Sequence, residues 1–133
     1  MSFPLSRIMS AATACYGVYA LTQPGHLASA MKVPSAQKPA WDLMAYTYAA
    51  RDLPVSAAGM WSSSPQVVTT AMVLRILGDL SDATILGLAT DDEEARTKAL
   101  TATLSWAGLN TVALVIDRRR YKKKLKSQAL LLP

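Results

Sequence analysis

Arg75, Asp79 and Asp82 stand four and three residues apart inside a segment padded by Leu74, Ile76, Leu77, Ile85 and Leu86. On a helix all three fall on one face. A second charged pair, Arg51-Asp52, interrupts another apolar stretch that runs from Trp41 to Trp61. Charges in such places are costly unless they are paired or face a wet cavity. These five side chains are therefore the first candidates for a functional site.

The rest of the chain reads as helix. With 133 residues there is material for one domain. The first apolar block, about residues 5–22, ends at Gln23-Pro24-Gly25, and His26 to Met31 suit a short further turn of helix. Ala28-Ser29-Ala30 superficially offers a signal cleavage site, but polar and breaking residues separate it from the apolar run, so the segment reads as a retained first helix. A second helix is expected over 39–62, opened by Pro39 and kinked at Pro54, because a mid-helix proline frees a carbonyl beside the Arg51-Asp52 pair. Ser64 can cap a third helix over 65–89, with Pro65 in its first position. The acids from Asp91 to Glu94 suit the first turn of a fourth helix over 91–121. Its centre, Ala99 to Ile116, is eighteen residues without a charge, within the roughly 17–25 that a bilayer crossing needs. No strand-like alternation of useful length and no internal repeat is present.

Composition bears on the solvent. Hydrophobic residues make up 51% and charged ones 17%, against about 25% charged in soluble domains, although the mean hydropathy of +0.19 is modest for a membrane protein. The net charge of +5 is uneven. Seven cations follow residue 117, whereas residues 1–117 hold the other seven and all nine acids, a balance of −2. A basic block after an apolar helix sets membrane topology or grips anionic headgroups. It lacks the folded reading element that nucleic-acid binding would need. These features lead to an all-α, four-helix transmembrane bundle over residues 1–121 with a basic tail over 122–133. Both termini are expected on the cytoplasmic side, since the number of crossings is even.

The polar constellations divide between two readings. In one, Arg75 is bridged by Asp79 and an acid of the second helix, and the network fixes helix register. In the other, one carboxyl is kept protonated by burial while its neighbour stays ionised beside an arginine, which makes an acid–base pair. Ion or substrate passage is a third use of such charges. Asp52, Asp79 and Asp82 outnumber Arg51 and Arg75, so one carboxylate is in excess. Tyr48 lies one turn before Asp52 and suits a substrate wall. Trp41 and Trp61, at opposite ends of their helix, read foremost as interfacial anchors, with Trp41 also a candidate wall residue. Trp106 and Asn110, four apart, complete the candidate substrate-binding set, although Asn110 equally suits an interhelical hydrogen bond. His26 alone is a weak metal signal and no metal is assigned. Cys15 lies in an apolar run and reads as a buried, inert thiol. Nucleotide, phosphate-loop, serine-hydrolase, zinc-protease and haem signatures are absent, and no cofactor is implied.

The first helix ending in Gln23-Pro24-Gly25, the segment Tyr48-Ala-Ala-Arg51-Asp52-Leu, the run Leu74-Arg75-Ile-Leu-Gly78-Asp79-Leu-Ser-Asp82 and a last helix with a basic end together resemble a known family. It is the family of small four-helix integral membrane proteins called domain of unknown function 4267. The resemblance spans roughly residues 5–120 and implies a compact membrane bundle with a shared polar core. An endoplasmic-reticulum membrane follows from the resemblance alone, and no reaction does.

The expected function is a cofactor-independent isomerase or cyclase acting on a lipophilic small molecule of terpenoid or polyketide type. Asp79 or Asp82 would be the general acid and its partner the stabilising carboxylate or base, with Arg75 and Arg51 orienting and tuning them and Asp52 completing the catalytic set. The alternative is a non-catalytic membrane protein whose charged core is structural and which packs against a larger partner. Besides substrate, the expected partners are the bilayer, met by the basic tail, with a second copy of the chain as a further option, and not nucleic acid.

Overall fold

A computed structural model describes residues 2–131. Five α-helices follow one another: α1 (Pro4–Thr22), the short α2 (Gly25–Ala30), α3 (Lys38–Trp61), α4 (Pro65–Ala89) and α5 (Glu93–Ala129), with a single 3-10 turn at Ser35–Gln37. Local chemistry sets their ends. The Ser64 side chain accepts from Val67 N and Pro65 opens α4, where its missing N–H is no loss. Asp92 accepts from Ala95 N at 2.8 Å, and Glu93 and Glu94 occupy the first turn of α5, at the positive end of its dipole. Pro54 lies inside α3, which continues through it to Trp61.

The expected four-helix transmembrane bundle is corrected on two counts. There are five α-helices, and among the described residues only α5 is long and apolar enough to cross a membrane. Charge and polarity remove the others. α3 holds Lys38, Asp42, Arg51 and Asp52, α4 holds Arg75, Asp79 and Asp82, and α1 is diluted by Ser6, Ser10, Thr13 and Gly17. The basic run from Arg118 to Lys126 belongs to α5, which extends without interruption to Ala129.

α1 packs along α3 and α4 along α5, with α3 against α4 and α1 against α5 closing the circuit, while α2 lies on α3. Small residues allow this closeness. A side chain at Gly59 would reach the Cβ of Ser10 at 3.0 Å, and one at Gly17 would meet Leu53 at the same distance. Two apolar clusters occupy opposite ends. One gathers Leu27, Ala28, Met31, Trp41, Ala45, Tyr48, Leu86 and Ala99, and the other Phe3, Val68, Met72, Ala113 and Leu114. Along α4 the charges fall between them, after Val68 and Met72 and before Leu86.

Apolar side chains also lie outside, and polar ones inside. Ile8, Leu43, Leu77, Leu88, Leu109 and Val112 are all exposed, while Ser6, Thr13, Ser56, Asp52, Asp79, Asn110 and Asp117 are buried. Cys15, expected to be buried, is exposed on this outer surface. Trp41, read first as an anchor, is 6% exposed within the core, whereas Trp61 is 76% exposed. A tryptophan at a helix start is apolar enough for either place, and here α2 folds over it.

Candidate functional site

Five charged side chains from α3 and α4 form one connected network. Arg51 donates both Nη groups to the two oxygens of Asp82, each at 2.8 Å, and Nε to Asp52 Oδ1 at 2.8 Å. Arg75 donates Nη2 to Asp79 Oδ1 at 2.6 Å. Its Nη1 lies 2.6 Å from Asp52 Oδ2, close enough for an ion pair but at an angle that makes no hydrogen bond. Asp52 thus bridges both arginines, and the two helices are joined by charge on charge. Paired fork geometry is what makes such contacts strong, and burying unpaired members would be costly.

Gly78 explains how Arg51 fits. A Cβ there would lie 3.3 Å from Arg51 Cζ, so the bare helix surface leaves room for the guanidinium. Arg51 Cζ also sits 5.2 Å from the centre of the Tyr48 ring, within cation–π range.

Above the network lies a cavity of about 290 Å³. Asp52, Arg75, Asp79 and Asp82 form its charged side, with Tyr16, Tyr48 and Trp106 among its walls. The two carboxyls of α4 differ in surroundings. Asp82 has both oxygens taken by Arg51. Asp79 has one oxygen on Arg75, and the other receives only a 3.3 Å contact from Asn110 Nδ2. Burial pushes Asp79 up to about 6, Arg75 opposes the rise, and the charges of Asp52 and Asp82 add to it. Burial, with Asp82 next, likewise raises the Tyr48 phenol to about 12. The Tyr48 hydroxyl is buried and has no hydrogen-bond partner, and the Tyr48 side chain is part of the cavity wall.

Of the residues proposed from sequence, Asp52, Arg75, Asp79, Asp82, Tyr48 and Trp106 line this cavity. Arg51 lies beneath Asp82, and Asn110 bonds Asp79 and the Trp106 carbonyl from behind. Trp41 packs in the neighbouring apolar cluster and does not reach the cavity. Sequence reasoning missed α1. Thr13 accepts from Trp106 Nε1 at 3.2 Å, and the Tyr16 hydroxyl pairs with His26 Nε2 at 2.9 Å. The three-residue spacing of Thr13 and Tyr16 was the available signal. It was also missed that Arg7 caps α3, through the Met60 carbonyl and the Ser62 carbonyl at 2.6 Å, and that buried Asp117 accepts from Ser6 N at 2.7 Å.

The described residues hold no group of three or more metal-ligating side chains. No family profile, no curated protein and no solved structure matches this chain, so the site itself carries the functional argument.

Proposed function

We propose that this chain is a membrane-associated, cofactor-independent isomerase or cyclase that moves protons on a lipophilic small molecule held in the interhelical cavity. One observation carries the reading: two carboxyls on one helix face whose environments set them apart. Asp82 has both oxygens clamped by Arg51, whereas Asp79, buried with one weakly engaged oxygen and pushed up to about 6, is the proton carrier. Such a group gives up and regains a proton near neutral pH. The cavity is mostly apolar-walled and of a size for a small ligand, and the unpaired Tyr48 hydroxyl supplies an orienting donor. Membrane association is supported by α5 and by the apolar outer surface, and the basic end of α5 argues for a cytoplasmic C-terminus.

The test is metabolite profiling of the producing organism with the wild-type gene, without it, and with Asp79→Asn. A lost product and an accumulated isomeric precursor, reproduced by Asp79→Asn at unchanged protein level, is the expected result. An unaltered profile in the point mutant would sink the assignment.

The ion pairs that cross from Arg51 to Asp82 and from Arg75 to Asp52 favour a second reading, in which the network is glue between α3 and α4 and the chain packs against a larger partner. Under it, Asp79→Asn and Asp82→Asn lower protein level or assembly and leave metabolites alone.

A further inference from the structure

At the far end of the molecule from the carboxyl cavity, a second hollow of about 470 Å³ opens between the start of α4 and the basic part of α5. Phe3, Gln66, Thr69, Arg118, Tyr121 and Lys122 are among its lining residues. Arg118, Tyr121, Lys122 and Leu125 follow at three- and four-residue spacing and therefore share the α5 face that meets the hollow. Neither Arg118 nor Lys122 makes an ion pair among the described residues. The nearest acid in sequence, Asp117, is turned inward to Ser6 N and does not line the hollow. Two cations thus face a hollow lined by hydroxyl and amide groups with no carboxylate.

The surface leading away from it is apolar. On α4, Gln66 and Thr69 at the hollow are followed by Val73, Leu77 and Leu80 at helical spacing, all three exposed. A cationic recess that gives onto an exposed apolar ridge matches an anionic headgroup joined to acyl chains. We infer that this hollow seats the phosphate of an anionic phospholipid, held by Arg118 and Lys122, with its chains along the α4 ridge. The inference shares with the proposed function only that the chain meets a bilayer, and it does not depend on the cavity chemistry.

Thermal unfolding of the full chain in neutral detergent tests it, with phosphatidylglycerol, phosphatidylcholine or inorganic phosphate added. Phosphatidylglycerol should raise the midpoint by roughly 5 °C, and the other two should not. The double variant Arg118→Gln/Lys122→Gln should lose that rise. Arg120→Gln/Lys124→Gln removes the same charge from the opposite face of α5 and should keep it. Equal loss in both variants would reduce the effect to diffuse charge and overturn the seat. A rise of the same size with inorganic phosphate would overturn the lipid as occupant, and one with phosphatidylcholine would overturn the need for an anion. Because no variant touches Asp79, failure here leaves the proton-transfer reading standing, and its failure leaves this one.

Discussion

Asp79 joins the chemistry of the site to the stability of the fold. Its carboxyl titrates near 6 in the folded chain against an ordinary 3.8, so between those values the folded state binds more proton than the unfolded one. Stability therefore falls as pH rises from about 4 to 6, and above that the cost of the buried anion is fully present. Denaturant midpoints should show this slope in wild type and not in Asp79→Asn, the difference being at most on the order of 3 kcal/mol. The network around it also bears on stability. Asp52→Ala removes the partner that Arg51 and Arg75 share, leaving Asp82 and Asp79 as their remaining acids, and should destabilise by about 1–3 kcal/mol, the cost of orphaning buried donors. The charged residues themselves were readable in sequence as misfits in apolar runs. Their pairing was not, since Arg51 could have met any acid within reach, and Gly78 supplied the space that selected Asp82.

Helix ends and helix approach make their own predictions. Ser64→Ala removes the side-chain acceptor for Val67 N and should cost about 1 kcal/mol in unfolding free energy. Gly59→Ala drives a Cβ into Ser10 where α1 crosses α3, and should cost about 1–3 kcal/mol. Combined with Ser10→Ala the loss should be less than the sum of the two, since the hydroxyl is part of the clash. Additive losses would mean that Gly59 matters for its backbone and not for the contact. The long helices were legible because prolines and capping residues mark their starts. Less legible was the long-range capping: Arg7 reads as a flanking charge and Asp117 as the edge of a basic block until the fold brings them to the ends of α3 and α1.

For the molecule as a whole, the long apolar α5 and the many exposed leucines and valines predict its solvent. The chain should stay with the pellet on alkaline carbonate extraction of membranes and pass into detergent. Release by alkali would leave its exposed leucines to be covered by a protein partner instead. Replacing exposed Leu77 and Leu88 by Ser, neither of them a member of the charged network, should weaken membrane retention while leaving the fold intact.

Sequence by itself determined that this chain is helical, where its long helices start, and which charges must be sheltered. Those are local matters, set by helical periodicity, proline geometry and the cost of isolated charge. Tertiary structure decided the burial of Trp41, the exposure of Cys15 and the difference between Asp79 and Asp82. The two aspartates have the same side chain three residues apart, and only what packs against each, Arg51 on one and Arg75 with Asn110 on the other, leaves one carboxyl fully engaged and the other with a weakly held oxygen.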